Sequence, residues 1–214
     1  MIKGVLFDMD GVLVDSESYI CRAAIMMFSE IGLNVVPGDF VPFVGMGENR
    51  YLGGVAEKYG KIVDIDKVKA RTYEIFARIV RGKLEALPGA KEFISQCLEK
   101  NLRISLATSA DKVKMEVNLE EIGLPPSTFE TIVTGLDVER KKPFPDIYIK
   151  AAESLGLRTT DCLVVEDSVS GIRAGKAAGC KCLAVTSSFP ASELSEADWI
   201  CNSLLDVPDD ALNW

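Results

Sequence analysis

Two rhythms of apolar residues run along the chain. Residues 2–7 (IKGVLF) form a short, nearly continuous apolar run, the pattern of a strand buried on both faces. From about Ser16 to Arg81 the apolar positions recur at three- and four-residue spacing instead, which predicts helices over Tyr19–Ile31, Arg50–Tyr59 and Asp66–Val80. The turn sequence "LPG" at 87–89 then restarts the short-run rhythm. Helix Ala90–Glu99 leads to strand Arg103–Ala107, helix Lys112–Ile122 and strand Glu130–Val133; helix Asp146–Leu155, strand Cys162–Val165, helix Val169–Ala178 and strand Lys181–Val185 follow. Strands alternating with helices of about ten residues imply crossover units and a mostly parallel sheet, a doubly wound α/β core. The helical stretch after the first strand has no strand to pair with. It is expected to be an inserted all-α cap domain at 15–87, with the core formed by 1–14 and 88–214.

This topology brings distant polar residues together. Right-handed crossovers put the C-terminal ends of all parallel strands on one rim, where open α/β sheets bind ligands. Asp8 and Asp10 follow the first strand, Thr108 and Ser109 the second, and Glu166 and Asp167 the fourth; Lys142, in "KKPFPD", lies in the loop after the third. Taken singly, each piece has a plain structural role: D-x-D as a solvated turn, Thr108–Ser109 as a helix cap, Glu166–Asp167 as a complement to a helix dipole. One such piece at the end of each successive strand points instead to a single site. Four converging carboxylates repel unless a cation lies among them, and hard oxygen ligands favour Mg2+.

Composition narrows the chemistry. The 214 residues suffice for one good core with a small insertion, and 48% are apolar, as in a globular chain. A net charge of -8 disfavours nucleic acid or an anionic membrane as partner. No apolar run nears the roughly 18 residues of a membrane span, and the N-terminus runs straight into a strand pattern without a cleavage site, so a cytoplasmic location and a monomer are expected. The six cysteines have no C-x-x-C spacing and no histidine to complete a zinc site, and are expected to be small buried hydrophobes. With no histidine at all, proton transfer must fall to carboxylates.

The segments "VLFDMDGVLVDSE", "ATSAD", "KKPFPDIY" and "VVEDSVSGIRAGKAAGC" resemble the four ordered motifs of the haloacid dehalogenase-like superfamily, in its phosphatase and phosphomutase branch with a helical cap inserted after the first motif. The resemblance covers essentially the whole chain. It implies a Rossmann-like core, Asp8 as the nucleophile that becomes an aspartyl phosphate, Asp10 as general acid/base, and Thr108 and Lys142 as holders of the phosphoryl oxygens. It further implies that Asp8, the Asp10 backbone carbonyl and Asp167 ligate Mg2+, with Glu166 binding directly or through water. Gly11 would let the chain turn sharply into the cap linker.

The cap departs from the best-known relatives. By the same resemblance, helical-cap phosphoglucomutases carry a histidine where "DSESYI" has Ile20, and a phosphate-clamping arginine about where "FVGMGENRYLGG" has Glu48. A carboxylate there should repel a second phosphate. Hydrolysis of a small phosphorylated metabolite, of sugar or polyol phosphate type, is therefore expected over phosphomutase activity. Gly45 and Gly47 would bring this loop close to the rim, Ser109, Glu48, Asn49 and Arg50 are candidate substrate contacts, and Arg71 on the later helix is a weaker one. An EF-hand fails because Val12 stands at its third ligand position, and "DMDGVL" is no dinucleotide fingerprint. A phospho-accepting switch of the receiver type would place its lysine last and lack the helical insertion, whereas Lys142 precedes Glu166–Asp167 here.

Overall fold

The computed structural model describes residues 1–43 and 47–214; Gly45, expected to aid the approach of the cap loop, lies outside them. Six strands, β1 (Gly4–Phe7), β2 (Arg103–Ala107), β3 (Thr131–Val133), β4 (Cys162–Glu166), β5 (Lys181–Val185) and β6 (Trp199–Cys201), form one sheet in the order β3-β2-β1-β4-β5-β6. Every neighbouring pair is parallel, with Phe7 level with Leu106 on one side and Val165 on the other. The helices are α1 (Glu17–Glu30), α2 (Glu48–Lys58), α3 (Ile65–Val80), α4 (Ala90–Glu99), α5 (Lys112–Glu121), α6 (Asp146–Ser154) and α7 (Val169–Ala177).

The alternation of side chains along each strand sorts the core into two layers. Val5, Phe7, Ile104 and Leu163 face α4 and α5, where Phe7 meets Phe93 edge-on at 5.9 Å between ring centres. Leu6, Ala107 and Val164 face α6 and α7. Both faces are covered, which is why these strands are mostly apolar on both sides, with Ser105 in β2 and Glu166 at the end of β4 as buried polar positions.

Between β1 and β2 the described chain is helical, with α1 packed on α3 and α3 touching both α2 and α5. The two passages joining this segment to the sheet run side by side: Val14 pairs with Ala86, and Leu87 N donates to Leu13 O at 2.9 Å. Among the described residues no helix is long and apolar enough to cross a membrane.

Candidate active site

Strand order reverses direction at β1, so β1 and β4 flank the crevice in which open sheets of this order bind ligands. Asp8 stands just past β1, and Glu166 and Asp167 at the end of β4; one carboxylate oxygen from each lies within 4.8 Å of the others. All three are buried. Lys142 reaches in from the β3–α6 loop, donating to Asp8 Oδ1 and Glu166 Oε1 at 2.6 Å each.

Two glycines make this crowding possible. Gly171, in the first turn of α7, leaves room for Glu166: a Cβ there would lie 1.7 Å from Glu166 Oε1. Gly11, at φ +78°, turns the chain out of the first motif, and a Cβ on it would lie 1.9 Å from Asp167 Oδ2.

Glu166 is fully engaged by protein donors. Its Oε1 accepts from Lys142 and from Tyr148 Oη at 2.9 Å, and its Oε2 from Asp167 N, Ser168 N and Ser168 Oγ, each at 2.9 Å. Burial pushes its carboxyl up, but Lys142 and these hydrogen bonds outweigh burial and hold it below its ordinary range. Asp8 and Asp167 are less well compensated. Burial drives Asp8 up to about 7, with Lys142 opposing and Glu166 adding repulsion, and it drives Asp167 up to about 9, with Glu166 and Asp8 adding to it. The protein's own cation is therefore too little for the cluster, and its oxygen-only donor set suits a hard divalent ion.

These groups line one wall of a cavity of about 360 Å3, which also takes in Asp10, Thr108 and Ser109. Thr108 is buried and its Oγ1 accepts from Ala110 N at 3.1 Å, turning the chain toward α5. Ser109 does not cap that helix. The cap position belongs to Asp111, whose carboxylate pairs with Lys69 of α3 at 2.8 Å instead of with its own helix. Asp10 sits apart from the three-acid cluster, bonded by Ser16 Oγ at 2.5 Å and Lys114 Nζ at 2.8 Å.

The opposite wall comes from α1 and α2: Glu17, Ile20, Glu48 and Tyr51 face the cavity. Burial raises the carboxyls of Glu17 and Glu48, with Lys114 opposing. Glu48 thus joins the rim residues, but the other three helical candidates do not. Asn49 is exposed and accepts from Lys69 Nζ at 2.9 Å, outside the cavity lining. Arg50 turns to Glu57 at 2.6 Å and stacks over Phe43, and Arg71 is held by Glu30 at 2.8 Å and Glu74 at 2.6 Å.

Several residues of the site carry no strand-end signal. Tyr148 and Lys114 project from helices and Ser16 precedes α1; Ser187, which donates its hydroxyl to the Gly11 carbonyl, does follow a strand, β5. "TSSF" after a strand matches the rim rule and was the one signal that could have found Ser187 and Ser188. All six cysteines are free, five of them buried, as expected.

Comparison with known proteins agrees with this geometry. A family model described as haloacid dehalogenase-like hydrolase matches residues 5–185. The chain is 41% identical over 199 residues to the chloroplastic protein SUPPRESSOR OF QUENCHING 1 of Arabidopsis thaliana, covering 92% of this chain but only 19% of that protein's length. It is 33% identical over 207 residues to hexitol phosphatase A of Escherichia coli, covering 94% of this chain and 91% of that one. In fold it is similar to the crystal structure of CbbY from Rhodobacter sphaeroides in complex with phosphate, with a TM-score of 0.88, 24% identity and all of both chains covered. The four motifs, the parallel sheet with its acidic crevice and the family match converge: the chain belongs to the haloacid dehalogenase-like hydrolases.

Proposed function

We propose that this chain is a Mg2+-dependent phosphatase that hydrolyses a small phosphorylated metabolite, of sugar or polyol phosphate type, through an aspartyl phosphate on Asp8. The observation that carries this is the meeting of Asp8, Glu166 and Asp167 within 4.8 Å of one another, with Lys142 bonded to two of them, in a cavity that also takes in Asp10 and Thr108. The naming of a 33% identical relative as a hexitol phosphatase supports the substrate class.

Asp8, Asp167 and the Asp10 carbonyl would hold the metal, with Glu166, whose oxygens are already engaged, acting through water. Bound there, Mg2+ would offset the repulsion between the Asp8 carboxylate and a phosphate dianion. An Asp8 oxygen attacks phosphorus, while Lys142 and Thr108 stabilise the charge spread over the phosphoryl oxygens. As the P–O bond to the substrate breaks, Asp10 gives its proton to the departing alkoxide. It then takes a proton from the water that attacks the aspartyl phosphate, which frees phosphate and restores Asp8. Two carboxylates thus do the work that histidine does in other enzymes.

Residues 15–87 act as the cap over this centre, closing it to bulk water. Ile20 is buried on the cavity wall and has no group to hold or protonate a sugar hydroxyl, and Glu48 disfavours a second phosphate, so water rather than a second hydroxyl is the acceptor. The test is a screen of phosphorylated metabolites in the presence of Mg2+, chelator, and chelator followed by excess Mg2+. Phosphate release that stops with chelator and returns with the metal is the expected outcome. Full activity in excess chelator would refute the arrangement, and isomerised sugar phosphate appearing faster than free phosphate would favour the mutase.

A further inference from the structure

The carboxylate assigned to proton transfer is gripped from two sides. Lys114, in the first turn of α5, is only 5% exposed, and its Nζ donates to Asp10 Oδ2 at 2.8 Å, its one hydrogen bond among the described residues. The other Asp10 oxygen accepts from Ser16 Oγ at 2.5 Å and, at 3.5 Å, from Asn118 Nδ2, which also donates to Ser16 Oγ at 3.0 Å. Lys114 and Asn118 are four residues apart and so share one face of α5. The charged groups around Lys114 are Asp10, Glu48 and Glu17, and Asp10 alone is within bonding distance.

A buried ammonium carries a desolvation cost, and an apolar side chain could fill this place beside Met115 and Leu119. An aspartate, in turn, has a soft terminal torsion, so its carboxyl plane is poorly fixed unless donors hold both oxygens. Proton transfer needs that plane: donor and acceptor must come within about 2.6–3.2 Å of each other. Asp10 keeps 28% of its side chain exposed, and it lines the cavity.

We propose that Lys114 is a positioning residue that fixes the Asp10 carboxyl at the angle from which it meets the leaving-group oxygen, so that it acts on proton delivery and not on phosphate binding or nucleophilic attack. This rests on the phosphatase reading above, with Asp10 as the acid. Damage to proton delivery has a signature that general structural damage lacks: it grows with the basicity of the leaving group. Nitrophenolate departs without a proton, phenolate benefits from one, and an alkoxide requires it.

The experiment measures kcat/KM, which reports formation of the phosphoenzyme, for p-nitrophenyl phosphate, phenyl phosphate and glucitol 6-phosphate. For Lys114→Met the loss is expected to rise along this series from under about threefold to about 10–100-fold, within the 10²–10⁴ that acid catalysis supplies. Lys114→Arg should recover part of the loss on the alkyl ester. Lys114→Leu, which also removes the donor and suits a helix, is the second variant should Lys114→Met not fold, and should show the same slope. A uniform loss across the three substrates in these variants overturns the proposal. Asp10→Asn serves as the reference: a flat series there overturns the acid assignment and with it the role of Lys114, and no turnover of any of the three by the wild-type protein counts against the phosphatase reading itself.

Discussion

The two walls of the cavity differ in how completely their polar atoms are satisfied. On the sheet side, Glu166 alone accepts five hydrogen bonds, and Lys142 bridges it to Asp8. On the helical side, Glu48 Oε2 and Tyr51 Oη are buried and have no hydrogen-bond partner among the described residues. A buried polar atom without a partner costs about 1–3 kcal/mol, so it persists where something else supplies the partner. On the sheet wall Glu166 is fully held by protein donors, and what is left short is positive charge for Asp8 and Asp167, as suits a site that takes a cation and one unvarying group such as a phosphoryl. The helical wall is left open, as expected where the variable part of a substrate is read.

The largest effect should come from breaking the sheet wall. Lys142→Met removes the ammonium that two buried carboxylates share, and the expected loss in kcat is on the order of 10²–10³, the magnitude of one preorganised charge-stabilising donor. Steady-state kinetics check this; a loss below tenfold would mean that Lys142 does not face the reacting phosphoryl group.

The acids of the sheet wall also tie stability to pH. Asp8 and Asp167 have folded-state pKa values of about 7 and about 9, both far above 3.8, so the metal-free folded protein binds more protons than the unfolded chain. Stability contributed by these groups is then fully present below about pH 4 and lost as pH rises through 7 and toward 9. Thermal unfolding without metal should show Tm falling over this window, and the rise in Tm on adding Mg2+ should be larger at pH 9 than at pH 6. A Mg2+ effect independent of pH would contradict the compensation of these two acids by the metal.

The smallest effects should lie on the helical side. Glu48→Gln is expected to raise KM several-fold and leave kcat nearly unchanged, since a group that holds substrate and transition state alike contributes only to binding. Arg50→Ala and Arg71→Ala should stay within about twofold, because both guanidiniums are spent on exposed ion pairs outside the cavity. A larger effect for Arg50 than for Glu48 would mean that the α2 entry turns differently toward substrate.

The same division decides what could be read from the chain alone. Strands β2 and β5 were legible to the residue, because a strand covered on both faces is mostly apolar, and in β2 a single buried polar residue, Ser105, interrupts the run. Strand β6, three residues at the sheet edge within "SEADWICNS", is too short for any period to appear. The rim residues Asp8, Thr108, Lys142, Glu166 and Asp167 were legible because strand ends share one rim by topology. Lys114 and Asn118 were not, since which way a helical side chain points depends on what the helix packs against. Their only trace is a lysine and an asparagine on the buried face that also carries Met115 and Leu119. Arg50 and Arg71 misled for the converse reason: an arginine near a site is attractive in sequence, and the nearby Glu57, Glu30 and Glu74 that claim these two become partners only in the fold.

The central claim, that Asp8 is the nucleophile, is tested most directly by trapping. The enzyme is mixed with substrate and Mg2+, quenched during turnover and treated with borohydride, which reduces an acyl phosphate to the alcohol. Peptide mass spectrometry then reads residue 8. Homoserine at position 8, absent without substrate and absent in Asp8→Asn, is the predicted result; steady turnover with aspartate intact at position 8 and the label on another residue would contradict it.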